Sequence, residues 1–287
     1  MNEIVKYDNY MNSLNFSQFN KVDMNLLIAL CSRMKDKNTQ KIDFSFDVLR
    51  ELTNYKKSNS IEQFAEDLEK MNEKLMRVTC KLKTKTEILM FVLFPTFKIN
   101  KEMQILTVSV NEDFKFILNE LVKNFTRFDL KEFIELDSKY SKSLYRLLKQ
   151  YRSTGKYEVS INDFRQKMDC PVSYSNKYIM DLIIKPSLNE IQKYFSNLQC
   201  TTKYAHKRGG PIAGYIFTFT PEKVKNGVIQ KERKHNYHNH KNVPEKSANF
   251  SQRTYDYEEI ERELLKRSEP KCDNSEIEEI LRKNNLI

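Results

Sequence analysis

The sequence predicts an α+β chain of two tandem winged helix-turn-helix domains, helix-rich with small antiparallel β-hairpins. Three observations predict it: a pattern that recurs about 115 residues apart, the same order of helix and strand signals in both copies, and positive charge concentrated in the second copy. At 287 residues and 34.3 kDa the chain holds two modest cores, which sets the expected domains at 1–125 and 126–222, with a polar tail at 223–287.

The recurring pattern is K-I-D-F-S-F-D-V-L-R from Lys41 and K-Y-E-V-S-I-N-D-F-R from Lys156, an offset of 115. Ser58-Asn59 then matches Ser175-Asn176, and Met71-Asn72-Glu73 matches Leu188-Asn189-Glu190, both at 117, as a two-residue insertion in the intervening turn would produce. In each copy apolar periodicity predicts a first helix, over 22–34 and over 130–153. A short strand then leads to Ser45 or Ser160, either suited to cap a second helix, and Asp163 completes a capping-box pattern. A longer helix follows, over 60–76 and over 175–195, the latter kinked or broken at Pro186.

Alternating strands close each copy: 78–83, 87–98 and 102–110 in the first, 198–204 and 212–220 in the second. The second pair flanks A-H-K-R-G-G-P, where Gly209-Gly210 permits positive φ. Tyr215, Phe217 and Phe219 alternate, as on a strand with one buried face. Helix, strand, helix, helix, hairpin is the order of a winged helix-turn-helix. Beyond Pro221 the chain is rich in Asn, Lys and His without apolar periodicity, which reads as a linker or tail with short helices around 257–266 and 275–283.

Charge separates the copies. Residues 1–129 hold twenty Lys/Arg against eighteen Asp/Glu, whereas 138–210 hold fourteen against five, so most of the net +10 lies in one folded region. On a helix Lys139, Lys142, Arg146 and Lys149 share one face, and Leu136, Tyr140, Leu144, Leu147 and Tyr151 the other. Like charges so placed repel by a few tenths of a kcal/mol per pair, so the stripe is either a solvated face or one neutralised by a polyanion.

Other chemistries find little support. The five cysteines, Cys31, Cys80, Cys170, Cys200 and Cys272, are odd in number and nowhere spaced as C-x-x-C, which argues against a disulfide framework or zinc site. His235, His238 and His240 fall in the polar tail with Asn between them, no Walker-type phosphate loop occurs, and no carboxylate pair is singled out. Neither an enzyme nor a cofactor is expected. The amino terminus lacks a signal-like apolar segment, and the longest apolar run, 88–94, is far too short to span a bilayer, so a cytoplasmic protein without membrane contact is expected.

The stretch S-K-Y-S-K-S-L-Y-R-L-L-K-Q-Y-R-S-T-G from Ser138, then V-S-I-N-D-F-R, then Ile184-Lys185-Pro186 to Asn189-Glu190, resembles the replication initiator (Rep) family of iteron-controlled plasmids. The likeness covers about residues 7–222. It implies that the second domain supplies the main recognition helix for repeated origin sequences in double-stranded DNA, and that the first mediates dimerisation. Monomers of such proteins open the origin with host partners such as initiator and helicase, while dimers repress their own gene. A dimeric winged-helix repressor without initiator activity is the alternative.

In this architecture the longer helix enters the major groove by its amino-terminal end. The expected base-contacting residues are Ser173, Tyr174, Asn176, Lys177, Met180 and Asp181, with Ile179, Leu182 and Ile183 turned inward. Asn suits adenine, Lys suits guanine acceptors, and Tyr suits a thymine methyl or a phosphate. Expected phosphate contacts are Lys139, Lys142, Arg146 and Lys149 on the first helix, Lys203, His206, Lys207 and Arg208 on the wing, and Lys81, Lys83 and Lys85 in the first domain. The first domain's longer helix carries Glu62, Glu66, Asp67, Glu69 and Glu73, whose repulsion from phosphates disfavours a groove role there. A single-strand binder stacking bases on Tyr215 to Phe219 is disfavoured, because period-2 burial explains those rings.

Overall fold

Serine caps set the rhythm of both halves. Ser45 and Ser60 accept the backbone N–H three residues on, from Val48 and Gln63, and Ser160 and Ser175 do the same for Asp163 and Tyr178. Both pairs of caps lie 115 residues apart, so the helix beginning after Ser60, and not Ser58-Asn59, is the counterpart of the one beginning after Ser175. The structure, a computed structural model, describes residues 3–222 apart from 79, 84–85, 120, 122–123 and 207–209, together with 224–225 and 228–229.

The first half runs β1 (Ile4–Asp8), α1 (Lys21–Met34), β2 (Ile42–Ser45), α2 (Phe46–Thr53), α3 (Ile61–Arg77), β3 (Cys80–Lys83), β4 (Ile88–Phe91), β5 (Thr96–Asn100) and β6 (Ile105–Ser109). The second runs β7 (Phe125–Asp129), α4 (Leu130–Ile134), α5 (Lys139–Gln150), β8 (Lys156–Ser160), α6 (Ile161–Lys167), α7 (Asn176–Tyr178), a π-helical turn (Ile179–Ile184), α8 (Lys185–Ile191), β9 (Gln199–Tyr204) and β10 (Ile212–Thr218). The sheets repeat too: β2-β6-β5 and β8-β10-β9 are both antiparallel, with the strand before the second helix paired to the last strand of the wing. Tyr215 and Phe217 are fully buried, and Phe164 meets the Tyr215 ring edge-on at 4.9 Å, so the aromatic alternation is core.

Three predicted elements are divided differently. The strand at 87–98 separates into β4 and β5 around Pro95, which cannot donate to a ladder. The first-half wing is therefore β5–β6, and Lys81 and Lys83 belong to an additional pair, β3–β4. The helix at 130–153 separates into α4 and α5, because the Ser138 hydroxyl caps Tyr140 N–H while Glu190 accepts from the backbone N–H groups of Asp137 and Ser138. Pro186 does not end its helix. The proline ring would clash with the carbonyl four residues back, and the turn widens instead, with Lys185 N–H reaching Met180 C=O.

β1 pairs with β7 from Ile4↔Asp129 to Asp8↔Phe125, joining the start of the first half to the start of the second. Met1–Leu82 and Ile88–Glu222 accordingly form one unit. Lys83–Glu87 and Lys223–Ile287 group separately, and there Val224–Lys225 pairs with Val228–Ile229. The tail helices expected around 257–266 and 275–283, the three tail histidines and Cys272 lie outside the described residues.

β10 passes so close to β8 that a Cβ at Gly214 would stand 2.1 Å from the Val159 carbonyl oxygen. Gly214→Ala is expected to destabilise the chain by about 1–3 kcal/mol, read as a lower urea midpoint.

Candidate nucleic-acid interface

The expected cationic stripe of α5 is the principal correction. Lys142 is 0 % exposed and Arg146 and Lys149 are also buried, leaving Lys139, half-buried and ion-paired with Asp169 at 3.2 Å, as the most open member of the four. Lys142 Nζ donates to the Phe133 carbonyl and lies 4.4 Å from the Phe133 ring centroid. Arg146 donates to Met11 O and Asn12 Oδ1, both at 3.3 Å, with its guanidinium 5.0 Å from the Phe16 ring centroid. Lys149 pairs with Glu222 at 2.8 Å and Glu132 at 3.6 Å. α5 is buried on nearly every side, since its apolar stripe faces its own half while its cations face the segment after β1, α4 and the segment after β10. In this arrangement these three side chains are not presented to phosphates.

Around Ser175 the expected residues do come together. The Ser175 hydroxyl caps Tyr178 N–H, and Arg165 of α6 donates to Tyr174 O at 2.8 Å and Asn176 Oδ1 at 3.0 Å, fixing the start of the helix. Because an amide oxygen has two lone pairs, Asn176 keeps one for a base. Ser173 and Lys177 are exposed, and Lys177 carries no ion pair among the described residues. Tyr174 and Met180 are half-buried against the core, which lessens their reach. Asp181 is half-buried and pairs with Lys185 at 2.7 Å, which holds its carboxyl below the usual range.

Leu182 reverses its expected orientation. Ile179, Ile183 and Ile184 form the inner face, and Leu182 is 53 % exposed. A π-turn advances each residue through a smaller angle than the α-helix, so the inner positions shift to i, i+4 and i+5 and the residue at i+3 rotates outward. Tyr178 and Val172 are likewise exposed apolar residues that sequence reasoning did not select. The i, i+3 template assigned Leu182 to the core, and Pro186, four residues on, was the available signal of a distorted turn.

On the wing, Lys203 of β9 is exposed and ion-paired with Glu158, and His206 is exposed in the following turn. Lys207, Arg208 and Gly209 lie outside the described residues, and φ is not positive at Gly210. In the first half Lys81 is exposed, with its backbone N–H and C=O bonded to the Tyr10 hydroxyl. Lys83 is in β3 without a described side chain, and Lys85 is outside the described residues. Glu62, Glu66, Glu69 and Glu73 form an exposed acidic stripe on α3. Asp67 departs from it: buried, it accepts from Lys57 and the Tyr55 hydroxyl at 2.7 and 2.8 Å. Exposed pairs such as Lys203–Glu158 are worth about 0–1 kcal/mol, so a phosphate would displace them readily. No helix among the described residues is long and apolar enough to cross a membrane.

Burial holds Lys142 down from 10.5 to about 7. Between pH 7 and 9 the unfolded chain binds more protons at this position than the folded one, so this residue makes stability rise with pH there, by at most about 1.4 kcal/mol per unit. Above that window buried thiols such as Cys31, pushed up to about 12, act in the opposite sense. Lys142→Met is expected to flatten the rise between pH 7 and 9 in urea titrations, and an unchanged slope would refute it.

Comparison with known proteins agrees with this architecture. A family model described as "Initiator Replication protein, WH1" matches residues 4–149, and one described as "Initiator Rep protein, WH2" matches 160–219. A relative described as "Probable replication protein rep", from Bifidobacterium longum (strain NCC 2705), is 35% identical over 223 residues, 77% of this chain and 74% of its own. A Pi initiator protein solved in complex with iteron DNA superposes with a TM-score of 0.58 at 15% identity, covering 78% of this chain and 99% of that one. That last likeness is one of fold.

Proposed function

Because the chain belongs to the initiator replication protein family through both of its winged-helix regions, we propose that it binds repeated origin sequences (iterons) in double-stranded DNA, helps to open a plasmid origin, and acts by binding and not by catalysis, in the cytoplasm. The observation that carries the reading is the helix beginning at Ser175. Its inner face is sealed into the core of the basic half, its start is fixed by Arg165 through the half-buried Asn176, and Ser173 and Lys177 are left toward solvent. The Pi initiator, of similar fold, is the one seen with iteron DNA.

Base contact falls to Ser173, Asn176 and Lys177, with Tyr174, Met180 and Asp181 in supporting positions. Phosphate contact falls to Lys139, Lys177, Lys203 and His206, joined by Lys207 and Arg208 on the wing and by Lys81, Lys83 and Lys85. The division into 1–125, 126–222 and 223–287 assigns dimerisation to the first part and the main DNA contact to the second. Exposed Ile88 and Met90, alternating on β4, support that assignment, and the acidic stripe of α3 argues against a groove role for its helix. Host replication proteins and repression of its own gene complete the reading.

The test is a footprint on the chain's own upstream repeats at two salt concentrations, with replication of a repeat-only plasmid when the gene is supplied in trans. Repression without replication would favour a dedicated repressor. Charge reversal at Lys177 or Lys203 is expected to lower the salt slope by about one unit each, whereas Arg146→Met is expected to lower stability and leave the slope unchanged. Asn176→Ala should cost about 1–3 kcal/mol at one base pair, and a uniform loss over all base substitutions would remove the base-reading role. Ile88→Glu with Met90→Glu is expected to shift the chain to monomer in light scattering.

A further inference from the structure

The π-turn creates a surface that the proposed base contacts do not explain. Tyr178 and Leu182 are 54 % and 53 % exposed, lie four residues apart on one face, and are flanked by Lys177 and Lys185. An inner role is excluded for Leu182, because Ile179, Ile183 and Ile184 already fill that face. Two side chains also fall far short of the roughly 800 Å² per partner that a stable protein interface buries. What suits a narrow apolar ridge between lysines, on the half of the chain that carries the positive charge, is a small apolar group set in a polyanion. Duplex DNA presents one such group in its major groove, the thymine C5-methyl.

We infer that Leu182 and Tyr178 read thymine methyl groups in the bound repeat, with Leu182 turned to that task by the π-turn. The inference rests on the reading that this helix enters the major groove. One helical turn separates the two side chains by roughly 5–6 Å, which spans between one and two base-pair steps of about 3.4 Å, so they meet methyls on neighbouring or next-neighbouring pairs. Asp181 on the flank is paired with Lys185, which moderates its repulsion of phosphates.

The experiment uses the full chain and the duplex it protects, with each thymine replaced singly by deoxyuridine, which removes the methyl and leaves the base pair and the protein intact. Affinities are measured for the parent, Leu182→Ala and Tyr178→Ala. The expected result is one or two positions at which uridine weakens the parent about fourfold, the effect of withholding one methyl-sized group from burial (about 0.8 kcal/mol). At one of these positions Leu182→Ala loses nothing further. Indifference of the parent to every uridine, or uridine and alanine effects that simply multiply everywhere, would overturn the inference. If Asn176→Ala still alters base preference in that case, groove reading survives and this inference alone fails. If in that case Asn176→Ala and Lys177→Ala also keep the parent's preference at every pair, the groove reading fails together with this inference.

Discussion

Cations buried along α5 are the constraint on which the rest of this structure depends. Leaving a buried polar group without its acceptor costs about 1–3 kcal/mol, and more for a charged one, so each of these side chains dictates where its acceptor must be. Lys142 requires the Phe133 carbonyl at the end of α4, Arg146 the Met11 carbonyl and Asn12, and Lys149 the carboxylates of Glu132 and Glu222. Asn12 is the hub: buried, it also accepts from the Tyr7 hydroxyl and donates to Thr126 and Gln150. A segment from the beginning of the chain is thereby tied to the helix that opens the second half. The β1–β7 pairing makes the same connection through backbone hydrogen bonds.

This arrangement separates two uses of positive charge that composition merges. The lysines and arginines of the basic block include a structural set, held by carbonyls and carboxylates, and a surface set, of which Lys177 and Lys203 are members. In the proposed function only the surface set would supply the salt-dependent part of DNA binding, because released counterions require phosphates to reach the cation. The structural set acts indirectly, by tying α5 to α4, to residues 11–12 and to Glu222, and α5 in turn packs against α8, the continuation of the helix that begins at Ser175. Glu190 makes the link explicit, since it lies on α8 and accepts the backbone N–H groups at the start of α5.

Pro186 illustrates a local conflict between a proline and the helix that holds it. A proline inside a helix either breaks it or forces the preceding turn to deform. Here the turn widens into a π-helix, the helix continues to Ile191, and the inner face is rebuilt from Ile179, Ile183 and Ile184. The altered twist exposes Leu182 beside Tyr178, so the outward surface of the helix differs from the one a regular periodicity would produce.

By itself the sequence determined the grammar: the duplicated order of elements, the Ser45 and Ser160 caps 115 residues apart, the aromatic core face of the second wing and the region that carries the charge. Those features are local or periodic, and local hydrogen bonding with one-sided burial is what the order of residues encodes most directly. Tertiary structure alone decided which cations face solvent and which way Leu182 points. A lysine has the same helical spacing whether it faces water or the carbonyl of another element, and only the approach of Met11, Asn12, Phe133 and Glu222 to α5 distinguishes the two. That approach depends on contacts between residues up to 138 positions apart, which periodicity along a single helix does not record.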